Sequence, residues 1–119
     1  FKRFNDTHGH QTGDEVLRIV SRTLQTSIRL TDLAARFGGE EFAIVLPATS
    51  GADAKVVAER IRGALASARL RHGAGWLSVT ASIGGASVVS GAPADLIARA
   101  DAALYAAKNA GRNRVSWSP

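Results

Sequence analysis

The sequence predicts an α+β domain in which helices pack on a mixed sheet. Three observations predict it. Apolar residues recur at helical spacing in three separate stretches, they alternate with other residues elsewhere, and a Gly-Gly pair divides two apolar runs near the middle of the chain. The resulting order is helix, hairpin, helix, strand, helix, strand, with no linker and no internal repeat, so one hydrophobic core is expected over residues 1–119.

Each element has its own signal. Thr12-Gly13-Asp14-Glu15 has the form of a capping box, and Val16, Leu17, Ile19, Val20 and Leu24 follow at helical period, which predicts a helix from about Asp14 to Arg29. Leu33, Ala35 and Phe37 alternate up to Gly38-Gly39, and Phe42 to Leu46 runs apolar until Pro47; this predicts a hairpin turning at the glycines. Ser50 to Asp53 can cap a second helix whose stripe is Val57, Ala58, Ile61, Ala64 and Leu65, ending near Ala68. Gly73 and Gly75 mark a loop. Trp76 to Ile83 alternates as a half-buried strand and stops at Gly84-Gly85. A last helix runs from Ala94 to Gly111, and Val115 to Trp117 forms a short final strand.

The chain has 119 residues, 45% of them hydrophobic, a net charge of +5 and no cysteine. That is enough chain for one modest core, and it leaves no disulfide or thiolate metal site. No apolar stretch is long enough to span a bilayer, and Phe1 to Asp6 lacks the apolar centre of a signal peptide, so a cytoplasmic domain without membrane contact is expected. The positive charge is mostly arginine, and those arginines are dispersed along the chain. Dispersion suits a solvated surface better than a polynucleotide groove.

The densest chemistry lies at the hairpin turn. Glu40 and Glu41 are adjacent like charges, which a cation would relieve, and carboxylate oxygens are the hard ligands that Mg²⁺ prefers. Gly38 and Gly39 carry no side chain to keep a phosphate off the backbone. An ordinary exposed turn, with the two glutamates pointing to opposite faces, fits about equally well. Asn5 and Asp14 could read the hydrogen-bonding edge of guanine, although Asn5-Asp6-Thr7 also suits a turn and Asp14 a helix N-terminus. His8 and His10 are two imidazoles with no third ligand nearby, short of a zinc site. Lys108 and Arg112 suit the end of the last helix and, equally, triphosphate oxygens.

Together these pieces resemble the GGDEF family of diguanylate cyclases. The resemblance is carried by Phe1-Lys2-Arg3-Phe4-Asn5-Asp6-Thr7-His8-Gly9-His10, Gly13-Asp14, Arg36-Phe37-Gly38-Gly39-Glu40-Glu41-Phe42, Ala58-Glu59-Arg60-Ile61-Arg62, Ser82-Ile83-Gly84, and Ala100 to Lys108 with Gly111-Arg112-Asn113. It implies a nucleotidyl-cyclase-like mixed sheet flanked by helices, with the GGEEF motif at a hairpin turn. It also implies an enzyme that joins two GTP into cyclic di-GMP with release of pyrophosphate, each domain of a homodimer holding one GTP and Mg²⁺ or Mn²⁺ as cofactor. The roles implied are metal binding by Glu40 and Glu41, deprotonation of the attacking hydroxyl by Glu40, and stabilisation of transition-state charge by Lys2. Asn5 and Asp14 would bind guanine, His10 would border the substrate, Gly38 and Gly39 would admit the phosphates, and Lys108 and Arg112 would grip the triphosphate.

Arg29-Leu30-Thr31-Asp32 has the RxxD form, with five residues between Asp32 and Gly38, as in family members whose RxxD site binds the product and inhibits. Arg can bond the O6/N7 edge of guanine and Asp can accept from its N1 and N2 hydrogens. Arg60 resembles the further arginine that a neighbouring domain offers to bound cyclic di-GMP. Family members also carry an Asp-x-Asp stretch on a strand just before the Phe-Lys that starts here, and its first Asp is a metal ligand; the sequence therefore reads as a GGDEF domain lacking its first strand. The rival reading is a GGDEF-like module that binds cyclic di-GMP or GTP as a sensor without synthesis.

Overall fold

The computed structural model describes residues 10–72, 75–88 and 93–119. Helix α1 spans His10–Ser27. It starts four residues before the expected Asp14, so Thr12 and Gly13 lie inside the helix rather than at its start. Gly13 is buried, and packing there outweighs glycine's poor helix propensity. Val16 and Leu24 are buried on one stripe with Val20 between them. The helix stops short of Arg29, where the Thr26 and Ser27 hydroxyls donate back to the carbonyls of Arg22 and Thr23 at 3.0 and 2.6 Å.

Strands β1 (Leu33–Arg36) and β2 (Phe42–Val45) form the expected antiparallel hairpin, with Ala34 opposite Ile44 and Arg36 opposite Phe42. Ala34, Phe42 and Ile44 face inward onto Leu24, Ile61 and Leu65. The other face carries the Leu33–Val45 pair, which is exposed. Helix α2 (Gly51–Ser67) begins where the sequence indicated: Ser50 is its N-cap, and its side chain accepts from the Asp53 amide at 3.2 Å. Ala54, Ala58, Ile61 and Leu65 are buried at helical spacing.

The next segment departs from expectation. Instead of a loop and then one strand over Trp76–Ile83, β3 (Leu70–His72) pairs antiparallel with β4 (Gly75–Leu77), and strand structure resumes only at β5 (Ile83–Gly85). Strands of three residues are too short to leave an alternation in sequence. Gly84-Gly85 does not end a strand but lies within β5. A Cβ at Gly84 would overlap the backbone of Ala100 and Leu104, and one at Gly85 would overlap the Trp117 ring. These glycines let helix α3 (Pro93–Asn109) and strand β6 (Val115–Trp117) close on β5, which runs parallel to β6.

Helix α3 ends in a Schellman arrangement: the Gly111 amide donates to Lys108 O at 3.4 Å and the Arg112 amide to Ala107 O at 3.0 Å, with Gly111 at φ 124°. Among the described residues the ladders are three two-stranded pairs, two antiparallel and one parallel. The hairpin and the β5–β6 pair share a core rather than one continuous run of hydrogen bonds, since Ala81 and Ile83 reach the same Leu24–Ile61–Leu65 cluster as the hairpin, while β3 lies against α1. The α+β class with its nucleotidyl-cyclase-like arrangement holds. Among the described residues no helix is long and apolar enough to cross a membrane.

The glycines separate two kinds of position. Gly84→Ala must displace α3 and is expected to cost about 1–3 kcal/mol. Gly63→Ala, within α2 and with nothing within 4 Å of its new Cβ, is expected to gain up to about 1 kcal/mol from helix propensity. Thermal denaturation checks both, and a Gly84→Ala melting temperature at or above that of the unsubstituted chain contradicts the packing described.

Candidate functional site

The hairpin tip is shaped by its own backbone. The Glu41 carbonyl accepts from the Phe37 amide at 2.8 Å and the Gly38 amide at 3.3 Å, closing the loop between β1 and β2. Arg36 then folds over it: its Nε donates to the carbonyls of Gly38 at 3.2 Å and Gly39 at 3.1 Å, and its Nη2 also donates to Gly39. Because trans peptides set C=O and N–H on opposite sides, fixing these two carbonyls turns the Gly39 and Glu40 amides away from Arg36. A Cβ on Gly39 would meet nothing within 4 Å, whereas one on Gly38 would meet the Glu41 side chain, its Oε2 at 3.5 Å. Gly38 to Glu41 are all exposed. The tip therefore presents bare backbone beside two carboxylates. Arg36 carries no role that the motif alone reveals; its position two residues before the glycines is the available signal.

Carboxylate oxygens suit a hard divalent cation in donor type, so Glu40 and Glu41 fit Mg²⁺ or Mn²⁺ in kind. Among the described residues no group of three or more His, Cys, Asp or Glu side chains gathers to hold a metal. Lys2 and Asn5 lie outside the described residues, as does His8, and nothing is described of the His10 side chain, although its backbone opens α1. Asp14 is exposed near the start of α1, and Lys108 and Arg112 are exposed at the end of α3.

Arg29, Asp32 and Arg60 come together. They line one hollow of about 180 Å³ with Ser27, Thr49, Asp53 and three apolar residues. Arg29 and Asp32 form a closed turn: the Asp32 amide donates to Arg29 O at 3.0 Å, and Asp32 Oδ2 accepts from the Arg29 amide at 2.8 Å and from its Nε at 3.3 Å. Nη2 of Arg29 reaches Asp32 Oδ1 at 3.1 Å, Pro47 O at 3.1 Å and Thr49 Oγ1 at 2.7 Å. These hydrogen bonds from Arg29 hold the Asp32 carboxyl below its usual range, and the same pairing raises the Arg29 guanidinium. The Asp32 side chain is 2% exposed against 59% for Arg29, so the guanidinium is the accessible member.

Helix α2 packs on α1 and puts Arg60 at the rim of its own chain's hollow, where Nη2 donates to Ser27 O at 2.7 Å. Thr49 and Asp53 were missed as lining residues. Asp53 had a sufficient reason to exist as a helix-cap neighbour, and Thr49 sits in a connector without periodicity. Asp14, Lys108 and Arg112 do not line this hollow.

The family model described as "Diguanylate cyclase, GGDEF domain" matches residues 1–114. The chain is 46% identical over 120 residues to Response regulator PleD of Caulobacter vibrioides, covering 97% of this chain and 26% of that protein. It is 45% identical over 118 residues to Diguanylate cyclase DosC of Escherichia coli, covering 97% of this chain and 25% of that protein. It therefore spans about a quarter of the length of these curated relatives. Among solved structures, the GGDEF domain of DgcB from Caulobacter crescentus in complex with c-di-GMP superposes with a TM-score of 0.91 at 39% identity, over 98% of this chain and 71% of that one. The diguanylate cyclase SiaD from Pseudomonas aeruginosa, in complex with its activator SiaC, gives 0.91 at 41% identity, over 98% and 45%. With the family model spanning nearly all of its residues and a GGDEF-domain structure matched over most of its length, the chain belongs to the GGDEF domain family.

Proposed function

We propose that this domain is a diguanylate cyclase that condenses two GTP into cyclic di-GMP, and that its product returns to inhibit it. The observation that carries the reading is the hairpin tip, where two exposed carboxylates stand beside a glycine backbone held open by Arg36. In the reaction, the 3′-oxygen of one GTP bonds to the α-phosphorus of the other, the bond from that phosphorus to its bridging oxygen breaks, and pyrophosphate leaves; the step occurs twice. Glu40 takes the hydroxyl proton. Glu40 and Glu41 would hold Mg²⁺ or Mn²⁺, which when bound supplies polarisation of the reacting oxygens.

The other assignments are those the family resemblance implies, and the residue types suit them. Gly39 leaves space for phosphate oxygens against the backbone amides that Arg36 orients. Lys108 and Arg112 bind the triphosphate, and Arg112's planar fork suits two oxygens at once. Asp14 and Asn5 read guanine, His10 borders the substrate, and Lys2 stabilises transition-state charge. Because one domain holds one GTP, two domains must face each other.

The hollow of Arg29, Asp32 and Arg60 is the proposed product site. Guanine would meet the exposed guanidinium of Arg29, and Asp32 would exchange its bonds to Arg29 for the base's N–H groups. That this hollow is assembled within one chain also favours a second reading, a sensor that binds cyclic di-GMP without synthesis.

Two measurements separate the readings. With GTP and Mg²⁺, the full-length protein is expected to produce cyclic di-GMP, detected by chromatography, and Glu41→Ala to lower the rate by about 10²-fold or more; no product from a folded, dimeric protein sinks the enzyme reading and leaves the sensor. By calorimetric titration, Arg29→Ala is expected to weaken cyclic di-GMP binding by about 1–3 kcal/mol, and unchanged affinity removes the hollow as its site.

A further inference from the structure

Two motifs to which the proposed chemistry gives only part of their residues a role, Ala58-Glu59-Arg60-Ile61-Arg62 and Gly111-Arg112-Asn113, meet in the folded chain. Arg62 leaves α2 and donates from Nη1 to Asn113 Oδ1 at 2.8 Å. Glu59 holds the same guanidinium from the other side, its Oε1 accepting from Nε at 2.8 Å and from Nη2. The pairing lowers the Glu59 carboxyl and raises Arg62 through their shared hydrogen bonds. Arg62's side chain is 22% exposed and Glu59's 56%, so the guanidinium is the sheltered partner.

The backbone that Arg62 reaches is unusual. A Schellman stop needs one residue of positive φ, which Gly111 supplies at 124°, yet Arg112 and Asn113 follow at 63° and 47°. Asparagine tolerates that region; arginine has no such compensation. A conformation of this kind persists where surrounding contacts over-determine it, and here they do. The Arg112 amide is bonded to Ala107 O at 3.0 Å, its carbonyl accepts from Arg114 Nε at 3.1 Å, and the next side chain is tied to α2 by Arg62. Arg112 itself remains exposed. Its main chain is thus fixed on both sides while its guanidinium faces solvent.

We propose that Glu59, Arg62 and Asn113 form a positioning clamp that holds Arg112 in its left-handed conformation and so presents its guanidinium to the GTP triphosphate in a preset direction. The clamp rests on the assignment of Arg112 to the triphosphate. None of the three is a catalytic residue: Glu59 acts through Arg62, Arg62 through Asn113, and Asn113 through the backbone of Arg112. Preset donors bind a polyanion without having to be ordered at that moment, and loss of the clamp costs affinity although no contact to the nucleotide is removed.

The test is calorimetric binding of a non-hydrolysable GTP analogue with Mg²⁺ to the full-length protein. The variants are Arg112→Ala, Arg62→Gln, Asn113→Gly and the double variant Arg62→Gln/Arg112→Ala, with cyclic di-GMP affinity measured in parallel. Asn113→Gly keeps the positive φ accessible and removes only the acceptor, so it stands even where Arg62→Gln folds poorly. Arg62→Gln and Asn113→Gly are each expected to weaken analogue binding about tenfold, with cyclic di-GMP affinity within about twofold and the double variant no weaker than Arg112→Ala alone. Unchanged analogue affinity in both single clamp variants while Arg112→Ala weakens it overturns the clamp, as does full additivity in the double variant or an equal loss of cyclic di-GMP affinity. Unchanged affinity in Arg112→Ala overturns the triphosphate assignment, and the clamp falls with it.

Discussion

The packing of Ile61 on Leu24 and Leu65 is the contact on which the rest of this structure depends. Ile61 is 2% exposed, and around these three residues gather Ala34, Phe42 and Ile44 from the hairpin and Ala81 and Ile83 from the segment leading into β5. No hydrogen-bonded ladder joins the three strand pairs among the described residues, so this cluster is what relates the hairpin to the β5–β6 pair. Full burial of each such side chain is worth about 1.5–3 kcal/mol, and the first consequence is to fix α2 in place. Arg60 and Arg62 flank Ile61, and they leave the buried residue in different directions, one to Ser27 O on α1 and the other to Asn113 beyond α3.

A small domain thus uses one buried residue to aim two arginines. The proposed product site lies at one end of this arrangement and the proposed substrate-gripping loop at the other. At one end the Arg29 guanidinium is held by Asp32, Thr49 and the Pro47 carbonyl; at the other it is the main chain of Arg112 that is held, by bonds to its amide and carbonyl. The hairpin tip follows the same logic, since Arg36 holds carbonyls so that amides face outward. Fixed donors of this kind favour anionic ligands because little ordering remains when they bind.

Much of this was legible from sequence where a single residue type enforces a local geometry. Gly38-Gly39 between two apolar runs marked the hairpin, Ser50 marked the start of α2 through its capping side chain, and Gly111 marked the end of α3 through its positive φ. The misreadings have a common cause. Gly84 and Gly85 looked like a stop because sequence shows a missing side chain but not the helix and the Trp117 ring that occupy its place. Likewise β3 and β4 are too short to alternate, and helix α1 runs through Gly13 because the glycine is buried. In the site, RxxD and the paired glutamates were visible because their partners are close in sequence. The bonds of Arg60 to Ser27 and of Arg62 to Asn113 were not, because they span 33 and 51 residues and only tertiary packing creates them.

The central claim is that the hairpin tip is where metal and nucleotide meet. A crystal structure of the protein with Mn²⁺ and a non-hydrolysable GTP analogue tests it most directly, through anomalous scattering. The account predicts a manganese peak bonded to a carboxylate of Glu40 or Glu41, at about 2.2 Å as expected for a small hard cation, with phosphate oxygens against the backbone of Gly39. Nucleotide and metal bound together elsewhere, with both carboxylates uncoordinated, would contradict it.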